Sequence, residues 1–397
     1  MKRTLLLVFG LMFLFAVEIM RVYFIMPFPG SQKSNTIAIA YFINKYVWWL
    51  RLVGLLMLIP LVWYAFGHTR LWKKITLAFF LFLFGAVFYL VNFRFLADKM
   101  FYQPKNKVLA TVSDNKVDSS KLVIGITING QSKAYPIEII GYHHQVADTV
   151  GGQPVMVTYC TVCRTGRVFS PFVKGEIQHF RLVGMDHFNA MFEDADTKSW
   201  WRQATGIAVA GPLKGAALKE LPSQQLGLGA WIKQYPNTLI LQPDSLYAKQ
   251  YKDLEGFDNG TIKSSLEKRD SGSWQFKSWV VGVQLDNSTK AYDWNDLMKQ
   301  KIINDTIGNS PIVLVLESDH VSFHVWNSRL NEKQLQFSFN ESAQTLQDAA
   351  TNSVWDLTGN CIAGALKGNR ISPVPAYQEF WHSWQYFHPA TTKYGYQ

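Results

Sequence analysis

The sequence predicts an N-terminal α-helical membrane segment of three spans, followed by a soluble α+β region, mainly antiparallel sheet, built from two tandem repeats. Three observations carry this. Apolar residues make up 48% of the chain but crowd into three long runs within residues 1–97. Residues 98–397 read as ordinary globular sequence, rich in Trp, Tyr and turn residues. Within that part, an ordered set of residues recurs at a constant offset of 157.

The apolar runs lie at about 5–26, 47–66 and 75–94. Each approaches the roughly 20 apolar residues that a helix needs to cross a bilayer. Lys2-Arg3 before the first run also suits a signal peptide, but no small-x-small cleavage site follows, so the run is expected to stay as a helix. Lys2 and Arg3, and Arg70, Lys73 and Lys74 between the second and third runs, belong on the cytoplasmic side. Lys33, Lys45 and Arg51 in the first loop pull the other way more weakly. Three spans then put residues beyond 97 outside the cytoplasm. The bilayer is one expected partner, and a membrane or periplasmic protein is another. Glu18 and Arg21 are three residues apart, so they share a helix face on which they can pair; the alternative is that both sit near the membrane interface.

The formal charge of +10 is partly topogenic and otherwise spread out. No Lys/Arg block of the nucleic-acid-binding kind occurs, so no nucleic-acid partner is expected.

The soluble part divides at the repeat, into residues 108–245 and 246–397. Gly125, Lys133-Ala-Tyr135, Asp148-Thr and Gly151 recur as Gly282, Lys290-Ala-Tyr292, Asp305-Thr and Gly308. Farther on, Ser199 and Trp201 match Ser353 and Trp355, and Trp231 matches Trp384. Each half reads as a strand pair, a short helix (135–142 or 292–301), then a Pro-led apolar strand and its return. Residues 211–215 lack a dinucleotide or phosphate-loop pattern, so there is no nucleotide signature. The recurrent tryptophans could form a stacking surface for sugars, but recurrence in both halves favours core packing.

Cys160-Thr-Val-Cys163 carries the chemistry. It holds two of three cysteines and follows an apolar strand-like run, Pro154-Val-Met-Val-Thr-Tyr159. Arg164 stands where haem attachment would need His, so no haem signature is present. The thiols end a strand instead of opening a helix, which suits a metal-binding turn. Two thiolates leave a tetrahedral site two ligands short. The candidates are His143, His144 and His187, with Asp148 nearby; Met185 and Met191 add thioether sulfur. Thiolate with imidazole suits zinc, and thiolate with thioether suits copper(I). Two further readings stay open: a thiol–disulfide couple with Cys160 attacking, or a structural disulfide. Arg164 and Arg167 either stabilise a thiolate or are surface residues. Cys361 lies in a short apolar run and reads as a buried inert thiol. At the repeat offset Cys160 corresponds to Glu317 and Cys163 to His320, so the fold does not require a disulfide there.

His143-His-Gln-Val-Ala-Asp148, Val157-Thr-Tyr-Cys160-Thr-Val-Cys163, Asp196-Thr-Lys-Ser-Trp200 and Thr205-Gly through Ala-Gly211 together resemble the uncharacterised bacterial family known as domain of unknown function 3179. The resemblance covers most of 108–241 and, more weakly, 270–392. It implies no established activity. It favours His143 as the family histidine, with His144 where the family usually has Glu. The expected protein is therefore an extracytoplasmic, metal-binding protein of the bacterial inner membrane, for binding, delivery or sensing of a thiophilic metal. A thiol–disulfide oxidoreductase and a non-catalytic interaction module are the alternatives.

Overall fold

A computed structural model describes residues 2–395. Three long apolar helices open the chain: α1 (Lys2–Tyr23), α2 (Ile37–His68) and α3 (Leu71–Leu90). Each is long and apolar enough to cross a membrane. The second starts ten residues before the apolar run that predicts it, taking in the apolar residues 37–43, and Ala40, Ile43 and Val47 are buried. A π-helical turn, Val91–Phe95, extends α3.

The expected pairing of Glu18 with Arg21 is replaced by a longer-range one. The Arg51 fork meets both oxygens of the Glu18 carboxylate, at 2.6 and 2.8 Å. Asn92 of the π turn donates to the same carboxylate at 2.9 Å. Arg21 bonds instead to Asn92 and Asn44. A planar guanidinium matches a carboxylate in two parallel bonds, which a neighbour three residues away on the same helix does not reach here. Glu18 is completely buried.

The chain forms two compact units. One contains residues 1–102 with 178–202 and 207–217; the other contains the rest. In the first, the antiparallel strands Phe180–Asp186 and Asn189–Asp194 and two shorter ones join the helices. Met185 donates its amide to the Ile25 carbonyl at 2.7 Å, and Tyr41 of α2 packs edge-on against Trp200.

The second unit is mainly antiparallel sheet. Leu122–Ile128 and Gln131–Pro136 form a hairpin, the short helix Ile137–His143 follows, and Gln145–Val150, Gln153–Cys160 and Thr165–Phe169 make a three-stranded meander. Farther along come Trp279–Leu285 with Ser288–Asp293, the helix Trp294–Gln300, and a meander of Ile302–Ile307, Ser310–Leu316 and Phe323–Asn327. The Tyr135 hydroxyl donates to Asp148 at 2.8 Å, and that of Tyr292 to Asp305 at 2.8 Å. Trp231 donates its indole N–H to Thr238 at 2.8 Å, and Trp384 to Thr391 at 2.9 Å. These tryptophans are buried, as core packing requires.

Both indoles lie flat against a glycine. A Cβ on Gly125 would sit 2.2 Å from the Trp231 ring, and one on Gly282 2.2 Å from that of Trp384. Both rings are buried, so Gly125→Ala is expected to cost about 2–3 kcal/mol, the usual penalty of overpacking. Urea unfolding checks this; an unchanged midpoint would show that Trp231 can move.

Candidate dithiol site

The strand Gln153–Cys160 reverses into Thr165–Phe169, and Cys160 faces Thr165 across the ladder. Arg164 makes the turn in the left-handed region, with φ 54°. This arrangement follows from the sequence: an apolar β-branched run, a short polar turn, then a return strand. Both Cys160 and Cys163 are thiols and both are completely buried. Cys160 and Ser383 are the polar side chains beside the Cys163 thiol. Burial, and then Cys160, pushes its pKa well above the ordinary thiol value; Ser383 and Lys277 pull it down less. Cys163 is thus a neutral thiol near neutral pH.

Three cationic side chains surround the turn. Arg164 and Arg167, read from the sequence as surface or thiolate-stabilising residues, are both completely enclosed. Arg164 donates to Gln378 at 2.8 Å and to the carbonyls of Phe257 and Asp258 at 3.0 Å. Its guanidinium lies 3.8 Å from the centre of the Trp279 ring. Arg167 pairs with Glu379 at 2.5 Å and, more loosely, with Glu220 at 3.5 Å, over the Tyr377 ring. Burial lowers its pKa, but Glu379 and Glu220 outweigh burial and raise it. The Ser383 hydroxyl donates to Glu379 at 3.2 Å. The third cation, Lys277, donates to the Val162 carbonyl, inside the cysteine motif, at 2.6 Å. Burial lowers its pKa, and the two thiols oppose that.

The histidines predicted as ligands have other arrangements. His143 ends the helix Ile137–His143, with Nε2 2.7 Å from the Tyr251 hydroxyl and the rings of Tyr142, Tyr247 and Tyr251 around it. His144 takes a left-handed φ of 61° as the helix stops, and its Nδ1 lies 3.1 Å from the Tyr142 carbonyl. Burial drives its pKa down to about 4, so its imidazole is neutral near neutral pH. His187 belongs to the unit that holds the helices, where its Nδ1 pairs with Asp186 at 2.5 Å. Arg202 holds the other oxygen of Asp186. Among the described residues, no group of three or more His, Cys, Asp or Glu side chains is arranged to hold a metal ion. Cys361 is buried, with its thiol 3.4 Å from the Ala363 carbonyl.

Sequence reading missed Lys277, Gln378, Glu379 and Ser383. They arrive from the far end of the chain, because Ala376–Phe380 pairs with Trp279–Leu285 and Phe380 donates its amide to the Cys163 carbonyl at 3.0 Å. No local motif marks them. The nearest signal was the repeated Trp384, which fixes the helix carrying Ser383.

Three apolar helices suggest a membrane anchor, and behind them lies a mainly antiparallel α+β region with a buried thiol turn. The chain belongs to the family described as "Protein of unknown function (DUF3179)", whose profile spans residues 103–391. No curated protein and no solved structure matches it.

Proposed function

We propose that Cys160 and Cys163 form a redox couple, cycling between dithiol and disulfide, in a membrane-anchored thiol–disulfide oxidoreductase that works outside the cytoplasm. One observation carries this reading: Cys160 and Cys163 are both free thiols, three residues apart and completely buried in one turn. A dithiol and a disulfide are both neutral, so either state can be buried without the cost of burying charge. On oxidation the two S–H bonds break and one S–S bond forms. Two electrons and two protons pass to a disulfide of the partner, which becomes two thiols. The basic residues around the first helix and between α2 and α3 support an extracytoplasmic soluble region, where such couples persist.

A second reading is a thiophilic metal, zinc or copper, held by both thiolates. It is favoured by Lys277, whose charge lies beside both cysteines and would offset the anionic sulfurs. His143 or His144 would complete such a site only after leaving their present bonds. The matched bonds of Tyr135 and Tyr292, and of Trp231 and Trp384, support descent of the two halves from a duplication.

The test is a titration of full-length protein in detergent against glutathione buffers, with thiols counted at each potential. A reversible two-electron couple near the poise of the compartment, lost in Cys160→Ser, is expected. Thiols that never oxidise, together with one bound metal per chain that disappears in Cys160→Ser, would establish the metal reading instead.

A further inference from the structure

A buried couple exchanges electrons with another sulfur only if that sulfur can reach it in line. The chain encloses Cys160 and Cys163 on several sides. Cys160 itself lies in a ladder, opposite Thr165, and that ladder opens only with the fold. Residues 254–268, which contain neither helix nor strand, lie against the cysteine turn. This segment is attached to the cysteine turn at discrete points. Arg164 bonds the carbonyls of Phe257 and Asp258. Phe257 packs edge-on against Tyr159, next to the first cysteine. Thr161 lies 3.4 Å from Glu267. Lys277 bridges the two parts: one ammonium bonds the Leu266 carbonyl in the segment and the Val162 carbonyl in the motif, each at 2.6 Å. The segment has turn bonds of its own, buries Phe257 and Ile262, and accepts a hydrogen bond from the Leu122 amide on Asp258 at 3.0 Å, but it has no backbone ladder, so it opens at lower free energy than the strands beside it.

We propose that residues 254–268 are a gate over the dithiol and that Lys277 is its latch, so that a partner reaches Cys160 and Cys163 when this segment lifts while the sheet stays folded. The gate rests on the redox reading for its purpose, but its existence is a separate physical matter. Residues 269–275 stay in place when it lifts, because Arg269 and Ser271 are bonded to Asn295, and Ser273 to Asp293.

The test is residue-resolved alkylation of reduced full-length protein in detergent with iodoacetamide, read by mass spectrometry. Cys361, buried in another part of the soluble region, is the internal reference. In Lys277→Met, modification of Cys160 and Cys163 is expected to accelerate at least about tenfold, with the Cys361 rate unchanged. In the wild-type protein, the Cys160 and Cys163 rates are expected to rise less steeply with urea than the Cys361 rate, because local opening exposes less surface than unfolding. If Lys277→Met does not fold, the wild-type urea slopes decide alone. Equal slopes for all three cysteines, or a folded Lys277→Met with unchanged Cys160 and Cys163 rates, would overturn the gate. A protein with gated alkylation but no reversible couple would remove the redox reading and keep the gate.

Discussion

Glu379→Leu is expected to destabilise the soluble region by about 3–5 kcal/mol, enough to lower its urea midpoint visibly. The carboxylate is 1% exposed and meets an equally buried guanidinium, that of Arg167, at 2.5 Å. Leucine fills much of the same volume but leaves Arg167 charged in the interior. Glu220 is the only other carboxylate in the described ion pairs of Arg167, at 3.5 Å and partly exposed, so it offsets little of that cost. The double variant Arg167→Met with Glu379→Leu tests the explanation. Replacing both charges with apolar groups of similar size is expected to recover most of the loss, since much of the single-variant cost is an abandoned charge. If the double variant is as unstable as the sum of both single ones, the cost lies in packing and the electrostatic account fails. Thiol reactivity is a second readout, because Ser383 links Glu379 to Cys163.

What the sequence revealed of this site depended on distance along the chain. The thiol turn was legible because strand, turn and return strand lie within twenty residues, and each has a local residue pattern. The three apolar helices were legible for the same reason, since length and hydrophobicity are local properties. The start of α2 was not, because Asn44 and Lys45 interrupt the apolar stretch that begins at Ile37 and split it from the run at 47. Arg164 and Arg167 look like ordinary cations after a strand. Their burial comes from Phe257, Trp279, Gln378 and Glu379, which lie 90 to 215 residues away. The histidines near the motif suggested ligands by proximity in sequence. Helix geometry decided otherwise: His143 reaches Tyr251, and His144 turns back to the Tyr142 carbonyl. Spacing along the chain indicates which residues can meet, but the hydrogen-bond partners available at each position determine which do.

The same physics makes Arg51→Leu the other large expected effect, here among the apolar helices. Arg51, Glu18 and Asn92 come from α2, α1 and the π turn after α3, so one polar cluster ties all three together. In hydrocarbon such groups find no water to replace a lost partner. Removing Arg51 leaves the Glu18 carboxylate with the Asn92 amide as its hydrogen-bond partner and is expected to weaken helix association by about 3 kcal/mol. The π turn should loosen with it, because Asn92 also donates to the Phe88 carbonyl at 2.8 Å and receives a bond from Arg51 at 2.7 Å. Detergent-titrated unfolding of the full-length protein, followed by proteolysis in the loops joining the helices, measures the effect. Glu18→Leu combined with Arg51→Leu should be more stable than Arg51→Leu alone, because no carboxylate is then stranded. If the double variant is the less stable of the two, the cluster contributes net attraction beyond cancelling its own desolvation, and the three helices depend on the charges for their packing.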